Sequence, residues 1–350
     1  MSDSSMIYRS LGQQGPEVSA VCLGTMTFGQ QTDQADAHSQ LDMAFERGIN
    51  FIDTAEMYAV PPRAETYGAT ETIVGTWLRR QARERIVLAS KVAGPARSLG
   101  WIRNGPLALD RANIRAAVEG SLRRLQTDYI DLYQLHWPER NQPMFGQWQY
   151  DPDKERVCTP IRAQLEALAE LVAEGKVRHV GLSNEHPWGV MEFVRCAREF
   201  DLPRVVSIQN AYNLLNRVFE YGLAEVCHRE QVSLLAYSPL AFGHLSGKYL
   251  ANPVAAGRLT EFEGFGQRYS KENVQPAVAA YVALAQSLGL TPVQLALAFV
   301  YRRGCVASTI IGASTRAQLA QNLDAWVVTL SADALEAIDR IHLRYSNPAP

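Results

Sequence analysis

Short apolar runs, rich in β-branched residues, alternate along the chain with longer amphipathic stretches. The pattern predicts strands over Val18–Leu23, Ile49–Asp53, Ile86–Lys91, Ile130–His136, Val177–Leu182, Val205–Gln209, Ser233–Tyr237 and Thr309–Gly312. Between and after them it predicts helices over Gln34–Arg47, Glu71–Arg80, Asp110–Leu125, Pro160–Ala173, Pro187–Phe200, Glu220–Glu230, Asn273–Leu288 and Thr315–Ala325. Thr291–Tyr301, with Pro292 at its start, and Ala332–His342 read as extra helices near the C-terminus.

Strands that are apolar throughout suit a parallel sheet covered on both faces, and strict βα alternation predicts such a sheet. Eight βα units in 350 residues favour a closed (β/α)8 TIM barrel over an open doubly wound sheet. The open alternative needs a G-x-G-x-x-G turn after its first strand, and the chain has none. No Pro/Gly/Ser-rich linker divides the sequence, so a single domain over residues 1–350 is expected.

Composition narrows the partners. A formal net charge of -2 gives no footprint for nucleic acid. No apolar run approaches the roughly 18 residues of a membrane span, and Met1–Ser10 lacks the apolar core of a signal peptide. The five cysteines are scattered and odd in number, without C-x-x-C, which points to free thiols in a reducing, cytoplasmic setting. The seven histidines lack metal-ligand spacing, so no metal is expected. A homo-oligomer is compatible with the chain.

In a (β/α)8 barrel the chemistry sits where the strands end. The expected strands end in Asp53, Lys91, His136, Ser183-Asn184, Gln209-Asn210, Tyr237-Ser238 and Gly312. Adjacent strands lie about 4.8 Å apart, so Asp53, Lys91 and His136 should span roughly 10 Å. Tyr58 follows Asp53 on the next loop and can fold back over the group. These four residues make a proton-donating device. A free phenol has a pKa of about 10, and a nearby ammonium should lower it. Asp53 can hold Lys91 through a charge-assisted hydrogen bond, and His136 can bond a substrate carbonyl or relay a proton.

Several ordered motifs carry a family likeness. Asp53-Thr54-Ala55-Glu56-Met57-Tyr58 resembles the D-T-A-x-x-Y signature of the aldo-keto reductases. Leu88–Lys91 resembles their catalytic-lysine strand, and Asp128–Pro138 their long histidine motif. Gly181–Asn184 and Tyr237–Leu240 also look like family motifs, and the likeness runs from Tyr8 to Leu343. Within the family the chain is most similar to the bacterial Tas-like branch. The resemblance implies reduction of aldehyde or ketone carbonyls by hydride transfer from NADPH. Tyr58 would be the general acid, assisted by Asp53, Lys91 and His136. It also implies an extended cofactor touching Gly24, Thr25, Met26 and Asp53. Ser183, Asn184 and Gln209 would hold the nicotinamide amide, and Tyr237 would stack on the ring. The segment Ser238–Lys248, with Pro239, Leu240, Gly243, Leu245 and Gly247, would wrap the pyrophosphate. Gly312, Ser314, Arg316, Gln318 and Asn322 would take the 2′-phosphate end.

Two of these regions have independent physical support. Glycines at 243 and 247 let backbone N–H groups approach a phosphate, and Lys248 adds charge. Gly312–Arg316 opens a helix, whose N-terminus attracts anions. Arg316 would favour NADPH over NADH.

The motif departs from the family after Tyr58, where Ala59–Thr66 inserts a Pro-containing loop before Tyr67-Gly68. Tyr67 is a rival match for the acid, but the distance from Asp53 favours Tyr58. Phe145, Trp148 and Tyr150, in the long Glu139–Thr159 stretch, could line an aromatic mouth or pack in an interface. The resemblance also extends to potassium-channel β-subunits, so the alternative is an NADPH-bound redox sensor or partner subunit with slow or no turnover.

Overall fold

The computed structural model describes residues 5–95, 99–262, 264 and 266–350. Tyr8–Ser10 (β1) and Glu17–Ser19 (β2) form an antiparallel hairpin. Eight parallel strands then close a barrel: Val21–Gly24 (β3), Phe51–Asp53 (β4), Val87–Val92 (β5), Ile130–Leu135 (β6), Val177–Ser183 (β7), Val205–Ala211 (β8), Ser233–Tyr237 (β9) and Val306–Ile311 (β10). They lie side by side in chain order, with β10 returning to β3. The expected first strand, Val18–Leu23, is in fact the end of β2 and the start of β3, separated at Ala20. A largely apolar run, interrupted only by Ser19, hides that corner.

The main helices are Gln34–Glu46 (α1), Ala69–Leu78 (α2), Arg111–Leu125 (α3), Ile161–Ala173 (α4), Pro187–Glu199 (α5) and Leu223–Glu230 (α6). Between β9 and β10 lie two short helices, Lys248–Ala251 (α7) and Arg258–Glu261 (α8), and two longer ones, Val274–Ser287 (α9) and Pro292–Tyr301 (α10). Arg316–Asp324 (α11) and Ala332–Arg344 (α12) complete the chain. Side-chain oxygens start several of them: Asp33 and Asp110 cap α1 and α3, and Thr291 with Gln294 forms a capping box on α10.

The larger core lies between barrel and helices, and a smaller one fills the barrel itself. Inside, Cys22, Phe51, Val87, Ala89, Leu132 and Ile310 pack together, with Leu11 and Val18 of the hairpin segment closing one end. Strand side chains alternate between the two faces. The inward positions that follow these apolar residues toward the strand C-termini are therefore Asp53 on β4, Lys91 on β5 and Gln134 on β6. The sequence places polar groups in the last inward layer of an otherwise apolar barrel.

Candidate active site

Lys91 is fully buried, and each of its three hydrogens has an acceptor. Its Nζ donates to Asp53 Oδ2 at 2.7 Å, to the Thr54 carbonyl at 2.9 Å and to Tyr58 Oη at 3.5 Å. Burial opposes the charge on Lys91, but Asp53 and Tyr58 outweigh it and hold the ammonium pKa above its ordinary value. Tyr58 behaves differently from the expectation. Burial dominates and raises the phenol pKa; Lys91 pulls it down and Asp53 pushes it up, with a net rise. The sequence exposes the neighbouring ammonium but not the depth of burial.

His136 follows β6, and its ring lies edge-on to Tyr58 with centroids 5.7 Å apart. Burial, then Lys91, pushes its pKa well below the ordinary value, so the imidazole is neutral near neutral pH. Tyr67 does not reach Lys91; its hydroxyl lies 3.4 Å from Glu56 Oε2, and burial pushes its pKa up to about 12.

Gln209 Nε2 donates to Asp53 Oδ1 at 2.8 Å and to Gln134 Oε1 at 3.2 Å. Gln134 Nε2 reaches the same Asp53 oxygen at 3.3 Å. Acceptors on both sides fix which way each amide points. Ser183 donates to the Gln209 carbonyl, and Asn184 Nδ2 donates to the His136 carbonyl. Tyr237 donates its hydroxyl to Asn184 Oδ1 at 2.7 Å, which fixes the plane of its ring at the rim. Thr25 Oγ1 donates to the Asp53 carbonyl, and Gly24 is packed against Ile310, where a Cβ would lie 2.7 Å from Cγ2. Met26 is half-buried at the mouth, against the Arg258 guanidinium.

The segment after β9 has an unusual backbone. Ser238, Ala241 and Phe242 take positive φ without being glycine, and Gly243 and Gly247 do so as glycines. Backbones of this kind turn successive N–H groups into anion-binding concavities. Pro239 and Leu240 lie within this turn, Leu245 is buried, and Lys248 Nζ donates to the Ala256 carbonyl. Across the mouth, Thr315 caps α11 beyond Gly312. Gln318 Oε1 accepts from both the backbone and the hydroxyl of Ser314. Arg316 reaches Ser39 Oγ, and Asn322 Nδ2 donates to the Gly312 carbonyl.

Three features escape strand-end reasoning. Gln134 lies within β6 rather than at its end; a glutamine in an apolar strand was the available signal. Arg258, on α8, lies among Met26 and Phe242, with its Nε unpartnered and no carboxylate within ion-pair distance among the described residues. Nothing in the irregular sequence around it marks it out. Glu56 is fully buried and paired with Arg103, which comes from the loop after β5. Of the aromatic mouth, Phe145 is exposed with its ring 6.4 Å from that of Trp137, while Trp148 and Tyr150 are exposed.

The parallel barrel thus gathers an ion-paired lysine, a phenol and a neutral imidazole at the C-terminal ends of its strands. The Aldo/keto reductase family model matches residues 20–342. Protein tas of Escherichia coli (strain K12) is 52% identical over 347 residues, 99% of this chain and 100% of the relative. An aldo-keto reductase of Babesia bovis is 39% identical, covering 75% of this chain and 98% of its own length. The uncharacterized oxidoreductase YrpG of Bacillus subtilis (strain 168) is 33% identical, covering 96% of each chain. The chain belongs to the aldo/keto reductase family of oxidoreductases.

Proposed function

We propose that this protein reduces aldehyde or ketone carbonyls to alcohols with NADPH, and that Tyr58 supplies the proton. The observation that carries this reading is the Tyr58 hydroxyl facing the Lys91 ammonium at 3.5 Å, with Asp53 holding Lys91 from the other side.

The chain's residues fit an elongated anionic nucleotide. The positive-φ turn after β9 is the kind of backbone that cradles a pyrophosphate, although Ala241 and Gly243 donate their own N–H groups within it, and Lys248 and Arg258 add positive charge. The start of α11, with Ser314, Arg316 and Gln318, suits the terminal 2′-phosphate. Gln209 has its NH2 committed to Asp53 and Gln134, which leaves its oxygen to accept from the carboxamide of the nicotinamide. Gly24, Thr25 and Met26 would flank the reactive end, Ser183 and Asn184 would meet the amide, and Tyr237 offers a ring face for stacking.

NADPH, when bound, supplies the hydride to the carbonyl carbon. Tyr58 Oη gives its proton to the carbonyl oxygen, and Lys91 stabilises the phenolate left behind. Asp53 keeps Lys91 in line. His136, being neutral, can donate a hydrogen bond to the carbonyl oxygen without bringing a second charge beside Lys91. A panel of aldehydes mixed with NADPH-loaded protein in a stopped-flow instrument tests the proposal. Nicotinamide absorbance should fall with at least some members. Cofactor that stays reduced with all of them would favour a sensor or partner-subunit role.

A further inference from the structure

We propose that Arg103 is a positioning residue for the proton donor, clamping the Tyr58 loop onto the Lys91 strand through Glu56. This rests on the reading of Tyr58 as the acid.

Glu56 lies two residues before Tyr58, and Ala93 two residues after Lys91. Glu56 Oε1 accepts from the Ala93 backbone N–H at 2.6 Å, so one carboxylate ties the two segments together. Arg103 Nη1 donates to the same oxygen, and Nη2 donates to the Ala93 carbonyl at 3.0 Å. One guanidinium therefore grips both sides of the junction. Its third contact, Nε to Asn113 Oδ1 at 3.3 Å, anchors it to the start of α3, where Asp110 holds Asn113. Arg103 makes these contacts from a backbone φ of 50°, in the left-handed region that a non-glycine residue keeps only where its surroundings enforce it.

Burial raises the Glu56 pKa and prevails, and Arg103 is the principal influence holding it down. Glu71 and Tyr67 also face Glu56, and Tyr133 and Arg124 complete the charged and phenolic groups around this cluster. Around Tyr58 the titratable neighbours are Lys91, Asp53, Tyr237, His136 and Arg258. The Lys91–Tyr58 contact is the longest of the three that Lys91 makes, and hence the most sensitive to a shift of the loop. A misplacement of about 1 Å in a reacting group can cost on the order of 10²-fold in rate.

The test compares Arg103→Met, Arg103→Lys and Glu56→Gln/Arg103→Met with the unmodified protein. Arg103→Met should lower kcat by about tenfold or more while the NADPH dissociation constant stays within about twofold. In protein labelled with 13C at the tyrosine ring carbon bearing oxygen, the Tyr58 resonance, assigned by its loss in Tyr58→Phe, should titrate at higher pH in Arg103→Met. Arg103→Lys should restore part of the rate. The double variant keeps an acceptor for Ala93 N–H without a stranded buried charge; it should exceed Arg103→Met in rate, and it serves if the single variant does not fold. A folded Arg103→Met with unchanged kcat and an unmoved Tyr58 titration overturns the clamp. So does a loss of rate matched by an equal loss of NADPH affinity. If the unmodified protein reduces no carbonyl, the proposed function fails on its own, and the Tyr58 titration still decides the clamp.

Discussion

Lys91 Nζ lies 3.5 Å from Tyr58 Oη and 2.7 Å from Asp53 Oδ2, so one buried ammonium serves two oxygens with different tasks. Toward Asp53 it forms an ion pair that compensates its burial. Toward Tyr58 it opposes the desolvation that would otherwise make the phenol a still weaker acid. Lys91→Met should therefore lower kcat by roughly 10²–10⁴-fold, the range for a disabled general acid. It should also destabilise the fold by roughly 3 kcal/mol, because Asp53 loses its buried counter-charge. Adding Asp53→Asn should recover stability without activity. Urea titrations and steady-state rates on the single and double variants check both halves.

Arg316, at the start of α11, is exposed and donates to Ser39 Oγ. If it takes the 2′-phosphate, Arg316→Ala should weaken NADPH binding about tenfold or more and leave NADH nearly unchanged, since only one of the two carries that group. Fluorescence titration with both nucleotides reads the difference. Equal weakening would remove the assigned role.

His244 is buried in the turn after β9, and burial followed by Lys248 pushes its pKa down to about 4. The folded state thus binds this proton less readily than the unfolded chain, whose histidine titrates near 6.5. Between those values the unfolded state holds the extra proton, so stability falls as pH drops below about 6.5, by up to about 1.4 kcal/mol per pH unit. Above that pH the group has no effect. His244→Leu should flatten the loss between about pH 6.5 and 4 relative to the unmodified protein. Parallel thermal melts across that window, compared as differences, isolate this group from the carboxylates that also titrate there.

Much of the fold was legible because each barrel strand announces itself as a short apolar run. The strand ends gave Asp53, Lys91 and His136, since an ionisable group closing such a run has little reason to be there for packing. The hairpin was not legible, because Val18–Leu23 carries only Ser19 as a polar residue and no turn residue at Ala20. Nor were α7 and α8, which are too short for a helical period to register. Gln134 was hidden inside β6, Arg103 acts from a distant loop, and Arg258 sits in a stretch without periodicity. The direction of the Tyr58 shift was missed for a related reason: a sequence lists neighbours but not how completely they exclude water.

The most direct measurement is a single-turnover reaction of NADPH-loaded protein with an aldehyde identified in the panel, run on the unmodified protein, Tyr58→Phe and Tyr67→Phe. Tyr58→Phe should lose roughly 10²-fold or more of the hydride-transfer rate while binding NADPH normally, and Tyr67→Phe should stay within about tenfold of the unmodified protein. An active Tyr58→Phe beside a dead Tyr67→Phe would contradict the assignment of the acid.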